Sequence, residues 1–367
     1  MIYFNTGKNE QALQILKKVV ADYPGTNASK DALVSIRDIY VNMMKTEEFF
    51  VYVKNIPFAN VTRSEQDSIS YIAIQNQYMS GDCNNTVQGF TDYLEKFPDG
   101  IFIINATFYR GECLYKSGKL KEALRDYTFV AGKFKTRFTE SALAKAAAIN
   151  FKQKNYNEAL NFYNTLEEEA EIKMNVVDAQ AGQMRCYDNL KNYEKAILAA
   201  KKITAQEKIE ETLAQEAHLI MGRAYLAQNN TSFAQTEFLA VSRMAENEMK
   251  AEAKYNMALI QYNLANYKES EKIIFEIINQ MPSYEYWIAK SFILLADNLV
   301  KMDNIFQAKH TLQSIIDNYE GLDLVQIAFE KLNKLNEAEK LKNQINPAVQ
   351  DSLLNKPQQD SLFEIKY

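Results

Sequence analysis

Residues 105–127 read NATFYRGECLYKSGKLKEALRDY, and this stretch decides the fold. Ala106, Tyr109, Cys113 and Leu114 recur at helical spacing and share one face. Ser117-Gly118 then breaks the run, because glycine accepts the left-handed conformation that ends a helix. A second helix follows, with Leu120, Ala123, Leu124 and Tyr127 on one face. Gly111 and Ala123 are small where two helices must approach to about 8–10 Å. Such a hairpin cannot bury its apolar face alone and needs neighbours on both sides.

The neighbours are in the sequence. Ala123 belongs to a column at 12, 49, 87, 123, 159, 196, 234, 270 and 308, with steps of 37, 38, 36, 36, 37, 38, 36 and 38. Ala12, Ala123, Ala159, Ala196, Ala234 and Ala308 fill six of these nine places, Ser270 is also small, and Phe49 and Val87 depart. Nine residues upstream run Tyr3, Tyr40, Tyr78, Leu114, Tyr187, Tyr225 and Leu299, interrupted by Asn150 and Gln261. Four residues downstream run Leu16, Val53, Tyr127, Tyr163, Phe238, Ile274 and Leu312. Three columns in fixed register describe one supersecondary unit repeated along the chain.

The pattern resembles the tetratricopeptide repeat (TPR) family over roughly residues 1–320, best at GECLYKSGKLKEALRDY, MRCYDNLKNYEKAI, MGRAYLAQNNTSFAQTEF and NMALIQYNLANYKESEKII. The resemblance implies an all-α fold, a right-handed superhelical α-α solenoid of about nine TPR-like helical hairpins with a C-terminal capping helix. The period is longer than the family's usual repeat, so longer connections between hairpins are expected. The segments Asp22–Thr26 (DYPGT), Lys96–Gly100 (KFPDG) and Gln280–Tyr284 (QMPSY) resemble bacterial cell-envelope members, of the outer-membrane assembly lipoprotein and Tol–Pal-associated types. That implies a periplasmic or outer-membrane-associated place.

A length of 367 residues would ordinarily suggest two or three domains. Repeats that touch only their neighbours replace that expectation with one long solenoid over 1–322, a capping helix over 323–345 and a tail over 346–367. The apolar fraction of 47% is ample for a continuous core. The net charge of −5 comes without a basic stripe, which argues against nucleic acid as a partner. No apolar run of about 18 residues exists to span a membrane. Tyr3 and Phe4 read as the end of a helix whose earlier turns are missing, so the chain is expected to be part of a longer protein, and the lack of a signal segment does not argue for the cytoplasm.

Several local expectations follow. Pro24 and Pro57 end helices, Ser64 is placed to cap the first helix of the third repeat, and the later turns centre on Gly118, Lys154, Lys191, Asn229, Asn266 and Asp303. Asp323 is placed to cap the last helix, whose apolar face carries Leu324, Ala328, Leu332, Leu335 and Ala338. In the tail, Gln350–Leu354 (QDSLL) is echoed nine residues later by Gln359–Phe363 (QDSLF), two polar steps each ending in apolar anchors.

Chemistry is harder to find. Cys83, Cys113 and Cys186 lie far apart with no CxxC, and are expected as buried free thiols. His218 and His310 are 92 residues apart, too far for an expected shared metal site. Glu167-Glu168-Glu169 diverge in direction on a helix and cannot converge on one ion. No glycine-rich phosphate loop, GxSxG or HExxH occurs. No catalytic residue, metal or small-molecule cofactor is therefore expected; an enzyme reading would need a catalytic domain upstream of Met1.

In TPR proteins the first helix of each hairpin lines the concave groove. The resemblance therefore implies a protein or peptide partner held by Phe108, Glu112, Tyr115, Phe151, Arg185, Leu219, Arg223, Tyr255, Tyr262 and Lys290. The family's carboxylate clamp needs Lys and Asn one turn apart on this face. Phe108/Glu112, Ala144/Ala148, Ala181/Arg185 and Tyr255/Leu259 stand there instead, which argues against capture of a chaperone tail.

Overall fold

The structure is a computed structural model that describes residues 9–345. The half-repeat expected at Tyr3 and Phe4 and the tail 346–367 lie outside the described residues. Eighteen α-helices and no strand are found among the described residues. The chain divides into two compact units, Met1–Leu190 and Lys191–Tyr367. The first contains α1 (Asn9–Asp22), α2 (Asn27–Asn42), α3 (Thr46–Lys54), α4 (Arg63–Met79), α5 (Cys83–Lys96), α6 (Ile103–Lys116), α7 (Leu120–Ala131), α8 (Thr139–Lys152), α9 (Tyr156–Glu169) and α10 (Lys173–Asn189). The second contains α11 (Tyr193–Thr204), α12 (Glu211–Ala227), α13 (Thr231–Met244), α14 (Glu248–Asn263), α15 (Tyr267–Ile278), α16 (Glu285–Lys301), α17 (Ile305–Asn318) and α18 (Leu322–Ile345).

Within each unit every helix packs on the next in sequence, and the first helices of successive hairpins also touch, as α4 touches α6 and α14 touches α12 and α16. The reversals are made by three-residue turns whose middle residue is left-handed: Met44, Gly81, Gly118, Lys154, Lys191, Asn229, Ala265 and Asp303. Their backbones repeat one motif. The amide after the left-handed residue donates back across the helix end, from Lys119 to the Leu114 carbonyl at 2.9 Å and from Asn304 to that of Leu299 at 2.8 Å. This satisfies carbonyls that the helix end would leave unpaired. Asn150 and Gln261, polar in an otherwise apolar column, use their backbone carbonyls for this same bond. The Asn150 side chain is buried and donates to the Ala146 carbonyl at 2.9 Å.

Five residues beyond each left-handed residue stands Phe49, Thr86, Ala123, Ala159, Ala196, Ala234, Ser270 or Ala308, all buried. Four further on lies Val53, Phe90, Tyr127, Tyr163, Ala200, Phe238, Ile274 or Leu312; all are buried except the half-buried Tyr163. Small side chains at the first position let the larger ones fill the space between helices. Ser270 is polar because Asn298 reaches it, Nδ2 donating to Oγ at 2.9 Å.

The sequence register needs four corrections. In the third repeat Thr86, not Val87, is the small buried residue, and the turn before Tyr267 is left-handed at Ala265 rather than at Asn266. The cap of α4 is Thr62, in a reciprocal box with Glu65, because the helix begins at Arg63 and leaves Ser64 inside its first turn. The last helix starts at Leu322, which places Asp323 within its first turn.

The cysteine expectation fails for two of three. Cys83, the first residue of α5, is disulfide-bonded to Cys113 of α6, with Cα atoms 5.0 Å apart across a sequence separation of 30. Helical periodicity places Cys113 on an apolar face, but it cannot report that the neighbouring repeat presents a second sulfur to it. Closing a loop of that length stabilises the fold by roughly 3–4 kcal/mol in the chain-entropy account. Cys186 is a buried free thiol, pushed up to about 12 by desolvation.

Three outcomes are expected. A Cβ on Gly222 would come within 2.6 Å of the Phe238 ring. Gly222→Leu should therefore cost about 1–3 kcal/mol in chemical denaturation. Ala265→Gly removes a side chain from a left-handed position and should raise stability by about 0.5–1 kcal/mol in the same assay. Thiol titration in denaturant should find one reactive sulfur without reductant and all three cysteines after reduction.

Candidate partner-binding faces

In the first unit the outward face of the first helices carries rings and cations drawn from α4, α6 and α8. Tyr78 of α4 lies on Tyr109 of α6 with ring centroids 4.4 Å apart. Arg137, in the connection before α8, sits 4.6 Å over the Phe138 ring and donates to the Tyr109 hydroxyl at 3.4 Å. Glu112 is the hub. It accepts from the buried Tyr127 hydroxyl at 2.6 Å and lies 3.5 Å from the Lys145 ammonium. Lys145 also stands 4.5 Å over the exposed Tyr115 ring. Burial and then the Glu112 carboxylate push the Tyr127 hydroxyl up, so it stays a neutral donor.

Around these rings stand the cations Lys116, Arg137 and Lys145, with Glu112 as the engaged carboxylate. A surface of net positive charge with tyrosine hydroxyls thus sits on a chain whose total charge is −5. Elsewhere in the unit, Arg110 holds the buried Asp126 through two bonds of 2.8 and 2.7 Å beside a cleft of about 390 Å³ lined by Leu94, Ile103 and Phe129. Its polar floor is already paired.

In the second unit the first helices carry a cluster of rings in which carboxylates and cations are balanced. Tyr255 of α14 meets Trp287 of α16 at 5.6 Å, and Tyr286 meets Trp287 edge-on at 5.2 Å. Lys290 places its ammonium 4.8 Å from the Tyr255 ring, 4.8 Å from Trp287 and 5.4 Å from Tyr286. Trp287 Nε1 donates to Glu248 at 3.1 Å. Glu252 lies 3.4 Å from Arg223, and Asp297 2.6 Å from Lys331. Burial, then the Asp297 charge, pushes the Tyr255 hydroxyl up to about 12.

Among the described residues no group of three or more His, Cys, Asp or Glu is placed to hold a metal, and no helix is long and apolar enough to cross a membrane. His218 is committed to Glu237 at 2.6 Å across the α12–α13 hairpin, and Glu167 accepts from Gln180 and Gln183 at 2.9 and 2.7 Å.

Residues 1–26 match the model of the tetratricopeptide repeat. No curated protein matches the sequence. Among solved structures, a signal-transduction ATPase with numerous domains and a tetratricopeptide repeat sensor, from Pyrococcus horikoshii, is 12% identical. It aligns over 88% of this chain and 54% of its own, with a TM-score of 0.51. The fold is that of the tetratricopeptide-repeat solenoids. A tetratricopeptide repeat protein from Parabacteroides merdae is 18% identical over 75% of this chain and 99% of its own, with a TM-score of 0.42. The apo form of the quorum sensor NprR from B. thuringiensis is 15% identical over 96% and 100%, with a TM-score of 0.49.

On this TPR fold the ten residues singled out from sequence separate into groups. Glu112 and Tyr115 come together around Lys145, and Tyr255 and Lys290 come together around Trp287. Arg223 joins the second group's edge through Glu252. Phe108 is instead a core residue, stacked on Phe138 at 4.5 Å, and Leu219 is buried. Phe151 packs edge-on against Tyr156 at 5.5 Å, Tyr262 leans on Tyr267 at 5.7 Å, and Arg185 lies beside Tyr163. The sequence reading assigned Tyr78 and Tyr109 to packing positions only and passed over Lys145, Tyr286 and Trp287. Lys145 was one position from the Ala144 already placed on the face, and the chain's single Trp was the available signal for the second group.

Proposed function

We propose that the chain is a non-catalytic TPR scaffold that binds a partner protein or peptide along its first-helix face and works in an oxidising compartment such as the bacterial cell envelope. The observation that carries the reading is the contiguous Tyr78–Tyr109–Glu112–Tyr115–Lys145 surface, which three successive first helices present together. Tyrosine and cationic side chains combine apolar area with directional polar groups, the composition of binding hot spots. Tyr78 and Tyr109 also pack against the core, while Tyr115 and Lys145 stand outside the repeat columns. The compartment rests on a separate feature. The Cys83–Cys113 bond persists where the surroundings are oxidising, since cytosolic reductants keep such thiols reduced.

The test is photo-crosslinking from position 115 in the native host, followed by affinity measurement with the partner so identified. Lys145→Glu with Tyr115→Ala should weaken that complex at least tenfold, a loss of about 1.4 kcal/mol, while circular dichroism stays unchanged. Undiminished affinity of the folded double variant would remove this face as the site.

A further inference from the structure

We infer that Tyr255, Tyr286 and Trp287 form an ammonium-binding box whose resident occupant is Lys290, and that a lysine side chain of a partner exchanges with it. The inference leans on the partner-binding reading for the source of the incoming lysine alone. The box itself stands on its own geometry.

Three rings lie within 5.4 Å of one ammonium, inside the roughly 6 Å at which a ring face attracts a cation. Two of them, Tyr286 and Trp287, precede Lys290 by four and three residues on α16, where neighbouring side chains meet by helical geometry. The third does not follow from that geometry. Tyr255 comes from α14, so two helices of consecutive repeats build the enclosure. Its walls are set: Tyr286 and Trp287 meet at 85°, and the indole is pinned by the Trp287–Glu248 hydrogen bond. Tyr286 is exposed while Trp287 is buried, so the box has a closed back and an open side.

The charges around it favour a cation. Glu248 is bonded to the indole and Glu285 begins α16, while Glu252 and Asp297 are balanced by Arg223 and Lys331. Among the described residues no carboxylate lies within ion-pairing distance of Lys290 itself; its ammonium is held by ring faces. Exchange with another ammonium therefore breaks no ion pair. Lys290 can swing into water on its four-carbon stem while the incoming cation takes over the same three rings. Alkylammonium is the ligand class, because that is the group the three rings already hold in Lys290.

The single tryptophan of the chain is a wall of the box, so tryptophan emission, excited where tyrosine does not absorb, reports on this site. The probe is tetramethylammonium chloride, titrated at constant ionic strength against sodium chloride. Lys290→Ala should give a saturable change in Trp287 emission at least tenfold tighter than the parent chain, and Lys290→Ala with Tyr255→Leu should lose it. Lys290→Met, which keeps the apolar stem, guards against a packing defect and should fall between the parent and the alanine variant. Equal titrations for parent and Lys290→Ala, both folded by circular dichroism, overturn the box. Competition by the peptide acetyl-Ala-Lys-Ala-amide, and none by its norleucine counterpart, supports lysine as the exchanging group. Tetramethylammonium binding with no competition by that peptide overturns the partner lysine and leaves the scaffold reading intact.

Discussion

Everything in the repeat depends on how closely two helices cross after each left-handed turn residue. The turn fixes where the second helix begins, and five residues later a side chain must fit against the first helix. Ala123, Ala159, Ala234 and Ala308 meet that demand with a methyl group, and Ser270 meets it with a hydroxyl that Asn298 satisfies. Where the second helix brings a large ring to the crossing, the first helix withdraws its side chain: Gly222 faces Phe238, and Gly111 faces Tyr127. Space at a crossing can thus be filled from either helix. Phe49 departs from the small-residue column, yet it is buried and the hairpin of the second repeat persists.

That constraint also explains which parts of the fold were legible in the sequence. Small residues at 123, 159, 196, 234 and 308 and apolar residues at fixed offsets are direct imprints of the crossing, so the hairpins and their spacing could be read. The third repeat was misread by one residue because Thr86 and Val87 are close in volume, and only the position of Gly81 fixes which of them faces inward. Ala265 was missed as a turn residue because the motif's backbone bonds hold alanine left-handed where composition favours the neighbouring Asn266. The Cys83–Cys113 bond was invisible for another reason: it depends on contact between repeats, which no periodicity within a repeat encodes.

The candidate faces were less legible than the fold. A helical position on the outward side of a first helix is set by register alone, and register cannot tell a ring that meets solvent from one that meets the next repeat. Phe108 and Tyr115 lie two turns apart on α6, yet Phe138 of the following connection buries the first, while the second meets only the edge of Tyr127 and the Lys145 ammonium and stays exposed. Leu219 is buried by the same kind of neighbour effect. Tyr286 and Trp287 lie before the repeated window begins, in the first turn of α16, where no column drew attention to them.

The two faces differ in a way that follows from which residues the repeats leave free. Turn, crossing and core positions are fixed by packing, so charge can vary only on the remaining outward positions. The first unit places Lys116, Arg137 and Lys145 around rings and one carboxylate that Tyr127 already engages. The second balances Glu252 and Asp297 with Arg223 and Lys331 around rings that hold their own lysine. A net charge of −5 over the whole chain reports neither arrangement. A repeat fold can thus keep its architecture through columns that are almost uniform while each unit's recognition chemistry is set by the few positions the architecture does not use. The chemistry must therefore be sought in the side chains that depart from the repeat pattern, and here those are a lysine between tyrosine and carboxylate in one unit and a lysine boxed by three rings in the other.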